Sequence, residues 1–271
     1  MVKAVFKPPN EEAFGSVAII QGPPRDIDML ASPSRSMRHS ASLIALRQEI
    51  WSVLLYRRPF RLPLYRNNDY TNLGPADDYA WTNRILVWCA DVLRFCYGED
   101  NTVPGAGVVE GRVSAWDRLK AFEYTWEMMK PKCFEPIYQK EPDPSENRYF
   151  PHVFQTNDCQ AIGLQHIELA RILLAVYNPT HQRLGLGASA HQRALELQMR
   201  QSTLLLCGLA LSNRKHQASM VTAAVGISMC GEYLSDPGER TAVVHFLSIL
   251  AHEHAWPTLS VIKALESAWE Q

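Results

Sequence analysis

Residues 77–98 read DDYAWTNRILVWCADVLRFCYG, and this stretch decides the fold class of the 271-residue chain. Its apolar side chains recur at the spacing of an α-helix and cover much of the helix circumference, which is typical of a central, buried helix. Asp77 or Asp78 offers a side-chain acceptor to the free amides of the first turn. Gly98 suits the left-handed residue that often ends a helix. The stretch therefore predicts a core helix.

The same reasoning predicts helices along most of the remaining chain. Apolar stripes at helical spacing, bounded by capping residues, Gly or Pro, recur from residue 36 onward. The additional predicted helices are Ser36–Arg57, Val113–Met129, Asn157–Tyr177, Ala188–Ser212, His216–Tyr233, Asp236–His254 and Pro257–Trp269. No convincing run of alternating β-branched residues indicates a strand. We predict an all-α, irregular multi-helix domain of about seven to nine helices with long Pro-rich loops.

Domain organisation follows from where the helical periodicity starts. Residues 1–35 contain five prolines and little periodicity, so we expect a loosely structured segment in which only Val17–Ile20 docks on the body. Residues 36–271 form one predicted helical domain. Within it, residues 99–111 are expected to be a mobile Gly-rich loop.

The Pro-rich segment 130–156 is predicted to be irregular. Its aromatic side chains are expected to lie against the body; they are Phe134, Tyr138, Tyr149, Phe150 and Phe154.

Composition indicates a globular protein without a strong electrostatic field. Hydrophobic residues make up 46% of the chain, charged residues 20%, and the formal net charge is -1. This balance argues against a global attraction to nucleic acid or to an anionic membrane. The local cluster of Arg57, Arg58, Arg61 and Arg66 is interpreted as a solvated, Pro-interrupted loop, with a phosphate-binding patch as the alternative.

The six cysteines indicate a reducing, intracellular environment. They are Cys89, Cys96, Cys133, Cys159, Cys207 and Cys230, and they lie inside apolar runs, as buried free thiols do. The N-terminal residues lack the apolar core of a signal peptide. The longest apolar stretch, Leu204–Leu211, is too short to span a bilayer.

Candidate metal ligands do not have metal-binding spacing. His252 and His254 flank Glu253 at positions i and i+2, whereas two histidines that bind zinc from one helix face lie at i and i+4. Cys89 and Cys96 lie seven residues apart on one helix face, and we interpret them as packed core thiols. No metal site is predicted.

Candidate catalytic and phosphate-binding residues have simpler structural interpretations. Gln165 and His166 lie in the middle of an apolar helix, where a lone histidine is more often a hydrogen-bonded core residue than a base. Gly185, Gly187 and Gly208 do not follow a strand, so they do not indicate a phosphate-binding loop. No catalytic or cofactor-binding residue is predicted, and no cofactor.

Several motifs occur in an order that is familiar from one family. They are Leu46–Trp51, Arg58-Pro59, Asp77–Arg84, Cys89–Gly98, Trp116 through Leu119, Trp126, Pro131 and Phe134 to Pro136-Ile137, Glu141–Pro144 with Phe150-Pro151, Gly163–His166, Cys207–Asn213 and His254–Thr258. Together they resemble the C-terminal regulatory domain of fungal Zn2Cys6 (zinc-cluster) transcription factors. The resemblance extends over residues 36–271.

The resemblance implies an all-helical domain of a nuclear regulator of RNA polymerase II genes that is not an enzyme. The six cysteines lack the spacing of the family's zinc cluster, and the first helices of the family's domain are absent. We therefore expect no direct nucleic-acid binding by this chain. We also expect an exposed apolar face that binds a protein partner or a second copy. A small-molecule effector is a further expected partner, and the expected location is the nucleus, with the cytoplasm as the alternative.

Two alternative interpretations stay open at this point. The helical fold could serve as a small-molecule-binding protein or an enzyme in metabolism, with polar groups such as His166 or His252 lining an apolar pocket. The chain could also be a fragment without an independent role. A pocket in which titratable groups converge would favour the first of these.

Overall fold

The computed structural model describes residues 37–62, 70–98, 111–181 and 185–270, apart from the side chains of Arg38 and His39. Eight α-helices and one small sheet occupy this part of the chain, which confirms the predicted all-α class. The helices are α1 (Met37–Tyr56), α2 (Asp78–Tyr97), α3 (Arg112–Met129), α4 (Asp158–Val176), α5 (Ala188–Ser212), α6 (Gln217–Cys230), α7 (Pro237–His254) and α8 (Leu259–Trp269). Short 3-10 helices span Lys132–Phe134, Pro144–Glu146 and Gly231–Tyr233.

The chain divides into two compact units, which meet in sequence between Met129 and Lys130. The expectation that residues 36–271 form one helical domain stays a prediction. Residues 1–35, with the proposed docking piece Val17–Ile20, and loop residues 99–110 lie outside the described residues.

Aromatic side chains form the core of the first unit, in which α2 packs against α1 and α3. The Trp88 indole donates its Nε1 proton to the carbonyl oxygen of Leu119 over 3.1 Å, and its ring centroid lies 4.9 Å from that of Phe122. Trp81 and Trp126 pair at 5.9 Å. Because buried aromatic pairs add directional contacts to the area they bury, they fix how α2 and α3 pack.

The two ends of α2 differ in how well the sequence predicts them. Asp77 accepts a hydrogen bond from the Ala80 amide at 2.8 Å, which confirms a capping aspartate. The predicted left-handed Gly98 is wrong, because its backbone is extended with φ −67° and ψ 141°. A Cβ atom at Gly98 would lie 2.5 Å from the Arg94 carbonyl oxygen, so close backbone approach explains the glycine.

In the second unit, α4, α5 and α6 pack against one another around a buried glutamine. Gln165 on α4 donates to the carbonyl oxygens of Leu206 on α5 (3.2 Å) and Ser219 on α6 (3.0 Å). It also accepts the Ser219 hydroxyl at 3.0 Å. Since buried amide groups are costly without partners, this network favours one arrangement of the three helices.

Helix starts in the second unit follow the sequence signals closely. Asn157 and Gln160 form a capping box at the start of α4, and Asp236 accepts the amides of Gly238 and Glu239 at the start of α7. The Glu239 carboxylate pairs with Arg200 on α5, whose Nε lies 2.8 Å away. Capping side chains satisfy amides that the first turn leaves without partners.

The Pro-rich segment 130–156 of the second unit contains the only strands among the described residues, and the sequence did not indicate them. Strands β1 (Tyr138–Lys140) and β2 (His152–Phe154) pair antiparallel, with Tyr138 opposite Phe154. Three residues per strand are too few for an alternating pattern to be visible. The Ser212 hydroxyl on α5 accepts the Val153 amide at 2.9 Å and holds β2 in place.

The aromatic side chains of this segment are only partly buried. Phe134 and Phe150 are buried, as expected. Tyr138 and Phe154 are 49% and 40% exposed, so the expectation that they lie against the body is wrong. Their rings instead pair on the outer face of the sheet with centroids 6.0 Å apart.

Candidate functional site

A surface groove of about 480 Å³ in the second unit is the strongest candidate for a binding site. Its walls are residues 146–154, the C-terminal end of α5 and one face of α7. We call it the aromatic groove. The volume lies within the range of about 300–1,000 Å³ that is usual for small-ligand sites.

The floor of the aromatic groove is made of phenyl rings. Phe150 and Phe246 are both buried, and their centroids lie 6.5 Å apart with the rings nearly perpendicular. Such edge-to-face packing is a favourable arrangement of aromatic rings. Phe246 is fully buried and Phe150 is 8% exposed, so Phe246 supports the floor from within, and Phe150 and Ile249 supply its accessible apolar surface.

Two glycines allow the 146–154 wall to lie close to the helices. A Cβ atom at Gly208 on α5 would lie 2.2 Å from the carbonyl oxygen of Pro151. A Cβ atom at Gly238 on α7 would lie 2.2 Å from Cζ of Tyr149. Real Cβ atoms do not approach other atoms this closely, so a larger residue at Gly208 would displace the backbone of the wall, and one at Gly238 would displace the Tyr149 ring.

Helical spacing presents four residues of α7 to the groove. Ala242, His245, Phe246 and Ile249 follow one another at intervals of three, one and three residues and line it together. His245 is exposed, whereas Phe246 is buried. The polar imidazole therefore lies at the rim, above the phenyl floor.

On the 146–154 wall, the alternation of side chains along β2 presents two residues to the groove. His152 and Phe154 are exposed and line the groove, while Val153 between them is buried. The His152 ring meets the Phe154 ring edge-on with centroids 6.5 Å apart. Each of the two walls thus contributes one imidazole to the rim.

The charged residues beside the groove are paired with one another. Arg148 donates to the Glu146 carboxylate and to the carbonyl oxygen of Glu141, the latter at 3.1 Å. Hydrogen bonds from Arg148 and Lys140 hold the pKa of the Glu146 carboxyl below its ordinary value. The Ser145 hydroxyl has the same effect on the pKa of Asp143. Arg148 is thus already engaged by carboxylate and carbonyl oxygens.

The His252-Glu253-His254 cluster has a structural role at the end of α7. Arg214 donates from Nε to Glu253 over 2.7 Å, and its carbonyl oxygen lies 3.0 Å from Nε2 of His254. His252 is exposed and lines a separate, open groove of about 790 Å³ beside Trp256. Across the described ranges, no group of three or more His, Cys, Asp and Glu side chains is placed to hold a metal ion.

The cysteines are free thiols, and half of them are buried. Cys89, Cys207 and Cys230 are buried, whereas Cys96, Cys133 and Cys159 are half-buried. Burial raises the pKa of Cys89 to about 12 and also raises the pKa values of Cys96 and Cys207. A thiol with a raised pKa stays protonated and is a poor nucleophile at neutral pH.

Gln165 and His166 are core residues, as the sequence indicated. His166 is fully buried, and its Nδ1 lies 2.7 Å from the carbonyl oxygen of Ile162 one turn earlier. Gly185 and Gly187 have φ of 107° and 94° and precede α5, where a side chain would strain the backbone. None of these four residues lines the aromatic groove.

The interpretation of the arginine cluster as a solvated loop is wrong for Arg58. Its guanidinium forms a two-pronged ion pair with Glu49 on α1, at 2.8 and 2.6 Å, and a bond of 3.0 Å to the Ser52 hydroxyl. Glu49 also accepts the Arg61 amide. Arg66 lies outside the described residues.

One helix among the described residues is long and apolar enough to cross a membrane. It is α4, and most of it is buried inside the protein, as in the core helix of a folded domain. Length and composition alone are weak evidence for a membrane span.

The aromatic groove could not be identified from the sequence. Its walls come from three segments, residues 146–154, 211–212 and 242–249, and no short motif connects them. His152 and His245 each look like isolated surface histidines. No protein-family model, no curated protein and no solved structure matches this chain.

Proposed function

We propose that the chain is a regulatory and interaction domain of the fungal zinc-cluster transcription factor type. In this proposal it acts in RNA polymerase II transcription regulation, in the nucleus, without a zinc cluster of its own and without catalysing a reaction. The cytoplasm is the alternative location. The observation that supports the proposal is that motifs behind the family resemblance contact one another in the folded chain.

In the first unit, contacts join three of these motifs to their neighbours. Glu49, in the Leu46–Trp51 motif, pairs with Arg58, in the Arg58-Pro59 motif. Asp77 caps α2, while Arg84 of the same motif donates to the carbonyl oxygen of Gly74 and lies 4.6 Å from the Trp81 ring centroid. These contacts fix helix ends and loops, which is a structural use of polar residues.

The second unit uses its motifs in the same way. Pro151 packs on Gly208, and this contact joins the Phe150-Pro151 motif to the Cys207–Asn213 motif. Gln165 joins α4 to α5 and α6, and the Thr258 hydroxyl donates to the carbonyl oxygen of Leu247. Residues that carry the resemblance therefore support helix packing, which is what a scaffold for interactions requires.

Exposed apolar side chains on α3 support the part of the proposal that concerns a partner. Tyr124 and Met128 are 69% and 70% exposed and lie four residues apart on the same face of the helix. Large apolar side chains grouped on a surface usually mark an interaction site. A protein partner or a second copy of the chain would cover them.

The proposal is tested by tethering the chain to a reporter promoter through an unrelated DNA-binding domain. We expect reporter transcription to change by about threefold or more, in either direction, with the fusion in the nucleus. A Gly208→Val fusion at matched abundance is the control, because the added side chain would meet Pro151. The untethered chain should show no specific DNA retardation. A folded fusion that leaves the reporter unchanged would contradict the proposal.

The aromatic groove supports the alternative, a small-molecule-binding protein or an enzyme in metabolism. Its phenyl floor and its two rim imidazoles form the kind of mixed pocket that small molecules occupy. Binding without turnover would be compatible with an effector site on a regulator, whereas turnover of the bound molecule would favour the enzyme.

A further inference from the structure

We propose that the aromatic groove binds a small planar aromatic carboxylate, with its ring on the phenyl floor and its carboxylate at the two rim imidazoles. The proposal goes beyond the function proposed above, which requires a protein partner but no ligand. It rests on the floor, on the rim donors and on the way the walls are held.

The floor determines which part of the ligand goes deepest. The side chains of Phe150, Phe154 and Ile249 expose only carbon atoms to the groove, while Phe246 is fully buried and packs against Phe150. A charged or hydrogen-bonding group placed against them would lose its water without gaining a partner. A flat ring buries its area against the phenyl groups and pairs with them favourably. The apolar end of the ligand therefore lies on the floor.

The rim determines what the other end of the ligand carries. His152 and His245 approach from opposite walls, and a neutral imidazole donates one N–H while a protonated one donates two. The Ser212 hydroxyl, which accepts the Val153 amide, has its own proton to donate. Three donors that line one groove favour an acceptor-only group, and a carboxylate is the simplest such group.

The neighbouring charges do not oppose the same assignment. Glu146 is paired with Arg148 and Lys140, so its carboxylate is neutralised at the edge of the groove. Asp143 also lies 3.7 Å from Arg148. A bound anion therefore meets paired carboxylates, which repel it less than isolated ones would.

The walls are held in place before a ligand arrives. Ser212 bonds to β2, Pro151 packs on Gly208, and Tyr149 packs on Gly238. A preformed site loses less conformational entropy on binding than one that must be ordered. A cavity of about 480 Å³ accommodates a molecule of one or two fused rings.

The test compares 2-naphthoate with its neutral analogue, 2-naphthamide, by isothermal titration calorimetry on the full chain. We expect 2-naphthoate to bind at least about fivefold more tightly than 2-naphthamide, since only the acid presents a charged acceptor to the rim. Replacing both rim residues, His152→Gln and His245→Gln, should weaken 2-naphthoate binding about tenfold and leave 2-naphthamide binding unchanged.

Two further variants locate the binding site. Ala242→Phe fills the groove from α7 and should abolish binding of both compounds. His252→Gln, on the same helix but lining the other groove, should leave both affinities unchanged. Circular dichroism and thermal unfolding check that each variant is folded.

Three results would overturn the proposal. They are equal affinity for the acid and the amide, binding that persists in the folded Ala242→Phe chain, and absence of 2-naphthoate binding up to about 5 mM. The reporter experiment depends on a protein partner and uses no ligand. A failure of the naphthoate test therefore leaves the proposed regulatory function standing, and the reverse also holds.

Discussion

Gly208 shows how much a single hydrogen atom in place of a side chain can determine. A methyl group at this position would overlap the carbonyl oxygen of Pro151, and a backbone atom cannot turn away as a side chain can. The residue therefore controls how closely the wall of the aromatic groove approaches α5. Gly208 belongs to one of the motifs that carry the family resemblance, but the resemblance does not explain why a glycine is needed at this position.

We predict that Gly208→Ala lowers the free energy of unfolding by about 1–3 kcal/mol, because the overpacked wall must move. Urea denaturation followed by tryptophan fluorescence measures the change. Gly111→Ala is the matched control, since a Cβ atom there would have no neighbour within 4 Å. If both variants were equally stable, close contact at Gly208 would not be the reason for the glycine.

Cys89 leads to a prediction about alkaline pH. Burial raises its pKa from an ordinary 9.0 to about 12, so the folded chain keeps a proton that the unfolded chain loses near pH 9. Stability from this thiol is therefore fully present below pH 9 and is lost as the pH rises toward 12. Buried Cys207 acts in the same direction.

We expect the free energy of unfolding to fall between pH 8 and about pH 10.5, and to fall less steeply in Cys89→Ala. Urea titrations at several pH values measure both slopes. At pH 7 the thiol is protonated in both states, so the stability of Cys89→Ala at this pH measures only the loss of free energy caused by the smaller side chain. Identical slopes in the two proteins would contradict the prediction.

At the scale of whole elements, local chemistry explains which boundaries the sequence predicts well. Asp236 followed by Pro237 places α7 correctly, because a capping side chain and a proline act on neighbouring amides without help from the rest of the fold. The predicted 216–233 helix ends early at Cys230 and continues as a 3-10 turn. There, Trp269 of α8 donates to the Gly231 carbonyl oxygen, a long-range contact that no local pattern contains.

The sequence analysis predicted neither the sheet nor the groove, and the reason is the same for both. β2 pairs with β1, and its Val153 amide donates to Ser212, which lies 59 positions further along the chain. The imidazole pair at the rim depends on that placement as well. A single sequence contains the donors and acceptors but not the information on which of them meet.

Substitution of Asp236 at the start of α7 tests the contribution of a helix cap to stability. Asp236→Ala should lower the free energy of unfolding by about 1 kcal/mol, because the amides of Gly238 and Glu239 lose their acceptor. Asp236→Asn keeps an acceptor oxygen and should retain most of that stability. Urea denaturation compares the two, and an equal loss in both would mean that charge rather than capping matters here.

For the whole molecule, the open question is what covers the exposed apolar residues of α3. The family resemblance predicts an exposed apolar face of this kind. Tyr124 and Met128 have the exposure that this expectation requires.

We predict that the chain self-associates through this face. Sedimentation equilibrium at about 10–100 μM should give a mass above that of the monomer, and Tyr124→Glu with Met128→Glu should restore the monomer. Lys130→Glu, an exposed charge change next to the helix, is the control and should leave the mass unchanged. A wild-type chain that stays monomeric throughout this range would exclude a stable dimer and leave a different protein as the partner.

The turn from Glu141 to Arg148 is closed by a bridge between Asp143 and Arg148, and its ion pairs join its own side chains and the adjacent Lys140. Asn147, at its tip, is exposed and already adopts a left-handed backbone with φ 54°. Such a tip tolerates added length, because the inserted residues need not disturb packed side chains. An epitope or a fluorophore tag inserted there should leave the helices intact and change only the adjoining edge of the aromatic groove.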